Sequence, residues 1–394
     1  MKKTIAMILA GGRGKRMDVL CHGRSKPVLP YAGMWRVIDF SLSNCLHSGI
    51  DDIAALIDYQ RQGTKEYLRE WYQANTRNKN LHILEPKLDS YRGTSDAVYQ
   101  NLDYLKDHNP EAVLVLAGDH IYKMDFRKML AFHKQKNADV TIGVIKVPVQ
   151  QTHRFGITTT NADGRITDFV EKPNHSTANL ASMGIYIFKP AVLIEHLIED
   201  NAKAASLHDF GYTLIPHMVK YNKVFAYEFD GYWRDIGTVE SYYEANMEII
   251  KPKPSLSLNS NWPILTTIST LLPYGIVDDS HIKRSIISLG CNIRGSVENS
   301  VLSPGVVVEE HAIIRNSIIM RNVVIGKHSV VDRCIVDDEA NIGKFCYVGF
   351  GAGLSSGNSN ITVVGKGASI FPGTAIGRNQ KILPETKVLA GIKS

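Results

Sequence analysis

Thr4 to Pro27 reads TIAMILAGGRGKRMDVLCHGRSKP, and this stretch organises the expectation for the whole chain. Ile5 to Leu9 is an apolar run of strand length. Gly11, Gly12 and Gly14 follow at once, so the backbone turns sharply where the strand ends. Positions without side chains let main-chain N–H groups approach a phosphate, and Arg13, Lys15, Arg16 and Lys26 place cations beside them. The ligand this chemistry suits is a polyphosphate. The spacing is neither the G-x-x-x-x-G-K-[ST] of a Walker A loop nor the G-x-G-x-x-G of a dinucleotide fold.

A chain of 394 residues exceeds the ~250–300 at which a single core stops growing, so two domains are expected. Its 44% hydrophobic and 21% charged residues are ordinary for a globular protein. The 45 basic and 39 acidic residues are interspersed without a basic block. That pattern argues against nucleic acid and fits small anionic substrates. The cysteines, Cys21, Cys45, Cys291, Cys334 and Cys346, are odd in number and lack C-x-x-C spacing. Neither a disulfide framework nor a zinc site is expected, and a reducing cytoplasm is the simplest compartment. Met1 to Leu9 runs into Arg13 without a small-residue cleavage site, and no apolar run approaches the ~20 residues that cross a bilayer. None of the 14 histidines is paired at H-x-x-x-H spacing, so they read as surface or core residues.

Ile38, Leu42, Cys45 and Leu46 share a helical face that Gly49 closes. Strand-length apolar runs at Ile53 to Ile57, Leu81 to Leu84, Ala112 to Ala117 and Val140 to Val147 alternate with helical stretches such as Ser95 to Leu105 and Phe126 to Lys136. This alternation predicts an α/β fold with a mostly parallel, Rossmann-like sheet that binds ligands beyond the carboxyl ends of its strands. Asp119 follows the strand Val113 to Ala117 on the edge that carries the Gly11 turn, and is placed to hold a metal. YRGTSDAV, from Tyr91 through Gly93, leads into a helix with Thr94 or Ser95 available as N-cap. NADG, Asn161 to Gly164, is a hairpin signal that delivers Glu171 and Lys172 in FVEKP.

LAGGRGKR with a following SKP resembles the signature of sugar-nucleotide pyrophosphorylases. YRGT, GDHIYK, FVEKP, SMGIYIF and YWRDIGT continue the resemblance in order, ahead of a hexapeptide repeat. RVIDFSLSNC, SMGIYIF and SLHDFG favour the glucose-1-phosphate adenylyltransferase branch over thymidylyl or uridylyl relatives. The resemblance implies transfer of an adenylyl group from ATP to α-D-glucose 1-phosphate, giving ADP-glucose and pyrophosphate for α-glucan synthesis. It assigns Leu9, Ala10, Gly11, Gly12, Gly14, Arg16, Gly93 and Thr94 to the nucleotide. Tyr91, Gly156, Glu171, Lys172 and Ser182 go to the sugar phosphate. Arg16, Lys26 and Asp119 are the implied catalytic residues, and Asp119 with Asp235 the ligands of a Mg²⁺ cofactor, for which two carboxylates suffice.

KPKP at 251–254 and the Ser/Asn/Leu stretch after it predict a linker over 251–272, between a catalytic domain at 1–250 and a repeat domain at 273–394. Val308, Ile314, Ile319, Ile325, Val331, Val336, Ile342 and Val348 are spaced 6, 5, 6, 6, 5, 6, 6, so the pattern closes every 17 residues. Three short faces per coil make a triangular parallel β-helix. The stacks are expected to extend back through Cys291, Leu302 and Val297, one of them reading Cys291–Val308–Ile325–Ile342. The run breaks over Gly349 to Asn360 and resumes at Val364, Ile370 and Ile376. In the resembled family this helix is left-handed.

That family also implies a homotetramer regulated by phosphorylated metabolites. Arg24 and Arg36 match effector positions on the catalytic side, and Arg333 one on the helix side. Gly23, Pro30 and Asp107 replace cations found in some members, so a weak response to fructose 1,6-bisphosphate is expected, with another glycolytic intermediate or AMP as alternatives. UTP or dTTP as nucleotide is the nearest rival reading. A non-catalytic regulatory subunit or a binding scaffold would be expected to lose Asp119 or the glycine loop, and this chain keeps both. Acyl transfer is disfavoured because His281, His311 and His328 lack a recognisable acetyl-CoA site.

Overall fold

The computed structural model describes residues 4–76, 80–257, 261–267, 281–351 and 360–389, with the backbone alone at 275–277. Parts of the expected linker and most of the expected break after Gly349 lie outside these residues. The chain divides into two compact units, Met1–Gly12 with Ile38–Trp233, and Arg13–Val37 with Arg234–Ser394.

The first unit is built on a nine-stranded sheet. Thr4–Leu9 is TIAMIL, buried on both faces at its centre, as an inner strand of a covered parallel sheet must be. It pairs in parallel with Asp52–Leu56 on one side and Ala112–Ala117 on the other, and Asp52–Leu56 pairs in parallel with Asn80–Leu84. Leu180–Phe188 and the hairpin strand Ile166–Glu171 run against the remainder, so the sheet is mostly parallel. Amphipathic helices cover it. In Arg61–Asn75 the buried positions are Thr64, Leu68 and Trp71, one stripe at helical spacing. The expected helix Ser95 to Leu105 is two helices, Thr94–Tyr99 and Leu102–His108. The break falls at Gln100 and Asn101, each 6% exposed. Gln100 accepts from the Lys87 N–H at 2.9 Å, and Asn101 donates to the Tyr91 hydroxyl at 3.1 Å, so the interruption ties down the loop before Tyr91.

The second unit contains a three-faced parallel β-helix with sheets of seven, six and six strands. Val297, Ile314, Val331, Val348 and Ile376 stack in register, as do Leu302, Ile319, Val336, Val364 and Ile382. The third stack differs from expectation: Val308 lies beside Ile293, not Cys291. Counting back one 17-residue period overshoots because the first coil is two residues shorter, with Ile282 beside Val297 and Ile287 beside Leu302. A polar ladder keeps the same short step. The Ser285, Ser300 and Ser317 hydroxyls accept from the N–H groups of Ser300, Ser317 and Cys334 at 3.0–3.1 Å. Arg13–Val37 joins this unit through its own bonds. Tyr31 donates to the Ala245 carbonyl at 3.2 Å, Asn246 accepts from the Ala32 N–H at 2.9 Å, Tyr242 donates to the Pro30 carbonyl at 2.5 Å, and Trp35 to that of Ile264 at 2.8 Å. The five cysteines are free. Among the described residues no helix is long and apolar enough to cross a membrane.

Candidate active site

Four strands of the first unit end level: Leu84, Leu56 and Leu9 lie side by side, and Leu9 lies beside Ala117. The turns that leave these strands therefore meet on one edge. The Gly118 N–H donates to the Leu9 carbonyl at 3.1 Å, and a Cβ there would stand 2.9 Å from that oxygen, so only glycine lets Asp119 start beside the Gly11 turn. A Cβ on Gly11 would lie 2.8 Å from the Asp58 Cβ. Asp58 bridges the edge, with one oxygen 3.2 Å from the Arg61 guanidinium and the other accepting from the Tyr91 N–H at 3.3 Å. Asp119 keeps about a third of its side chain exposed, and its Oδ1 is 3.5 Å from His120 Nε2. The Tyr91 hydroxyl is held by Asn101 and by the Leu84 carbonyl, and burial pushes it up to about 12, so it stays protonated.

Gly93 has extended backbone that any residue adopts, yet a Cβ there would come within 2.2 Å of the His208 carbonyl oxygen. Thr94 does not cap the helix as expected. Its hydroxyl donates to Asp209 at 2.9 Å and accepts from the Phe210 N–H at 2.9 Å. The other Asp209 oxygen accepts from the Gly211 and Tyr212 N–H groups at 2.9 and 3.0 Å. One carboxylate thus joins the Gly93 loop to the turn at Phe210–Leu214.

Glu171 sits between two glycines with no space to spare: a Cβ on Gly156 would be 2.7 Å from its Oε2 and one on Gly211 2.5 Å. Its Oε1 accepts from Lys172 Nζ at 2.6 Å, and that ammonium lies 5.1 Å from the Tyr212 ring centre. Burial would lower the Lys172 pKa, but the hydrogen bond and charge of Glu171 outweigh it, so the cation is held above the usual lysine range. Lys172 has φ 47°, a left-handed conformation uncommon outside glycine, which turns its ammonium back toward Glu171. Ser182 is 8% exposed, with its Oγ 3.3 Å from the Tyr186 hydroxyl.

In the second unit Gly14 has φ 63° and leads into Lys15–Cys21. Lys26, 6% exposed, places Nζ 3.6 Å from Asp235 Oδ1. A Cβ on Gly237 would be 2.9 Å from Asp235 Oδ2 and 3.1 Å from Arg16 Nη2, so Arg16 and Asp235 converge on one point. Two cations around one carboxylate leave a net positive charge, which suits a polyanion. Arg24 is engaged elsewhere, with Asp337 and with Asp338 at 3.2 Å. Arg36 and Arg24 both act electrostatically on buried Tyr242, whereas Arg333 lies 5.9 Å over the Tyr243 ring.

Residues 5–252 match the nucleotidyl transferase family, and residues 276–362 match the GlmU-like C-terminal hexapeptide family. A glucose-1-phosphate adenylyltransferase of Acetivibrio thermocellus is 42% identical over 97% of this chain and 93% of that protein. The corresponding proteins of Thermosipho africanus and Desulfitobacterium hafniense are 43% and 39% identical over at least 95% of both chains. The chain belongs to the glucose-1-phosphate adenylyltransferase family. The β-helix of its second unit is accordingly of the left-handed hexapeptide type.

The motifs singled out the glycine turn, Asp119 and the Glu171–Lys172 pair, which the structure places at strand ends, and did not single out Asp58, Asp209 and Gly211, which pack against the same turns. SLHDFG stood out only as a family stretch, and its aspartate is the residue that ties the loops together. An adenylyltransferase with Gly211→Ala should fold normally yet displace Glu171 and with it Lys172. Losing one charge-assisted bond of ~1.5–3 kcal/mol corresponds to roughly 10–150-fold weaker sugar-phosphate affinity. Titration calorimetry checks this; unchanged affinity in the folded variant would remove Gly211 from the site.

Proposed function

We propose that the chain transfers the adenylyl group of ATP to α-D-glucose 1-phosphate, releasing pyrophosphate and forming ADP-glucose for α-glucan synthesis in the cytoplasm. The observation that supports this most is the edge on which Leu9 and Gly118 pair, because it sets a phosphate-type glycine turn beside the carboxylate of Asp119. The attacking group is a phosphate oxygen that is already an anion, so no general base is required and catalysis is positioning and charge neutralisation. In this reading the backbone from Leu9 to Gly14 with Gly93 and Thr94 receives the nucleotide. Glu171 accepts from a sugar hydroxyl while Lys172 meets the sugar phosphate, flanked by Gly156, Ser182 and the ring of Tyr91. Arg16 and Lys26 take the charge of the departing pyrophosphate.

Nucleotidyl transferases of this kind use a divalent metal. We assign it as Mg²⁺, with Asp119 and Asp235, the carboxylates of the family motifs, as the residues that would hold it. Both offer oxygen donors, the set Mg²⁺ prefers, and Asp119 is open enough to admit a hydrated ion. When bound, it would supply positive charge to the phosphate oxygens.

The reading extends to control by phosphorylated metabolites in a homotetramer. Arg24 is the cation we assign to an effector anion, and it is 13% exposed with Asp337 and Asp338 as present partners. Burial disfavours its charge, and the two carboxylates hold it charged. An incoming anion therefore competes with an internal one, which together with the substitutions at Gly23 and Pro30 argues for a weak fructose 1,6-bisphosphate response.

Pyrophosphate release across nucleoside triphosphates and sugar 1-phosphates should be fastest with ATP and glucose 1-phosphate, and a faster rate with UTP or dTTP would overturn the assignment. Asp119→Asn should fold and bind substrates but lose most of kcat, since it removes charge that counters the developing transition state. Near-normal kcat would exclude Asp119. Asp338→Asn should release Arg24 in part and tighten effector binding by about tenfold, the equivalent of one charge-assisted bond near 1.5 kcal/mol. Rates against metabolite concentration measure it, and unchanged or weaker activation would separate Arg24 from the effector.

A further inference from the structure

The helix Pro190–Ala202 carries His196 and Glu199 one turn apart, and the helix Ile215–Tyr221 brings His217 to them. Sequence spacing gives no hint of this, since the two histidines are on separate helices. His196 is 7% exposed, and its Nε2 is 2.8 Å from Asn222 Oδ1. An amide oxygen only accepts, so Nε2 carries the proton and Nδ1 is left as a lone pair. That Nδ1 is buried without a hydrogen-bond partner. It points at Glu199, whose Oε2 lies 3.3 Å from it and 3.6 Å from His217 Nε2. One ligand atom from each of the three residues lies within 4.8 Å of the others.

The Nδ1 lone pair of His196 and the Glu199 carboxylate repel, and a buried polar atom left without a hydrogen-bond partner is unfavourable. A cation at their centre removes both penalties. Zinc–ligand lengths of about 2.0–2.2 Å at a tetrahedral angle put neighbouring ligand atoms roughly 3.3–3.6 Å apart, and the two separations here are 3.3 and 3.6 Å. Two imidazole nitrogens and one carboxylate oxygen are a donor set for zinc-class ions rather than for Mg²⁺. Asn222 supplies the outer hydrogen bond that typically orients a ligating histidine.

We propose that His196, Glu199 and His217 form a zinc-class transition-metal site, separate from the Asp119 edge. The site clips two helices across residues 203–214, the segment that carries His208, Asp209 and Gly211. On the first of these helices Asp200 also binds Ser95 at 3.0 Å and Ser206 at 2.6 Å, so the clip braces the loops around Glu171.

The test uses the full chain, stripped with chelator and then kept in excess Mg²⁺ to occupy oxygen-donor sites. Added Co²⁺ should give a tetrahedral d–d spectrum, and Zn²⁺ should displace it at one equivalent per chain and raise Tm. Glu199→Gln and His217→Ala, both at partly exposed side chains, should abolish the spectrum and the Tm shift, and Asn222→Ala should weaken binding about 10–100-fold. No spectrum in the parent chain would overturn the proposal. So would a spectrum that survives His217→Ala, which would place the metal on another cluster, such as Asp52, His82 and His108.

Discussion

The parallel register that sets Leu9 beside Ala117 and Leu56, and Leu56 beside Leu84, is the constraint on which the candidate site depends. Four strands stop at one height, and each hands the chain to a turn of the candidate site: Gly11, Asp58, the loop to Tyr91, and Asp119. A one-residue slip in any of them would turn its buried face to the wrong side and displace its turn, so the apolar pattern that fixes the core also fixes the site. Gly118 shows how tight the fit is, because its N–H and its missing Cβ both face the same Leu9 carbonyl.

Around this edge carboxylates do two different jobs. Asp58, Asp96 and Asp209 accept from main-chain N–H groups and hold loops in place. For Asp96, burial would raise the pKa, but the Arg92 and Gln100 hydrogen bonds outweigh it and hold the carboxyl low. Its stabilisation is therefore present above the ordinary aspartate range and is lost only as pH falls through the depressed value. Asp119 is the more open carboxylate, with 32% of its side chain exposed against none of that of Asp96.

The sheet was legible because its strands are short uninterrupted apolar runs separated by helical patterns, and the placement of the candidate site's motifs was legible where a motif sits directly at a strand end. Legibility failed wherever the deciding partner is remote in sequence. Asp209 reaches Thr94 across 115 positions, and Asp337 reaches Arg24 across 313. It failed again at Cys291, where a fixed period was extended through a coil two residues short. The serine ladder carried the missing information, since Ser285 to Ser300 is 15 residues and Ser300 to Ser317 is 17. His196 and His217 escaped because helix-to-helix proximity has no signature in a spacing rule.

The segment that continues the glycine turn is anchored by residues that come hundreds of positions later. Among the described residues Arg24 pairs with Asp337 and Asp338 of the β-helix and Asp18 with Lys381, and these contacts are not equivalent. Asp18 and Lys381, 2.5 Å apart, are 43% and 54% exposed, a setting in which a pair is worth about 0.2–1 kcal/mol. Arg24 and Asp337 are 13% and 1% exposed, where removing one partner strands a buried charge at about 3–5 kcal/mol. Asp337 is held above the usual aspartate range because its burial outweighs the pull of Arg24. That buried pair adds to the hydrogen bonds of Tyr31, Ala32, Trp35 and Pro30 that hold the same segment. Since Lys26 lies two residues beyond Arg24 and faces Asp235, a change at that pair is transmitted through two peptide units to a cation we assign to pyrophosphate. On the function proposed above, control through the β-helix would need no long pathway, because Arg16, Arg24 and Lys26 belong to the same compact unit as the β-helix.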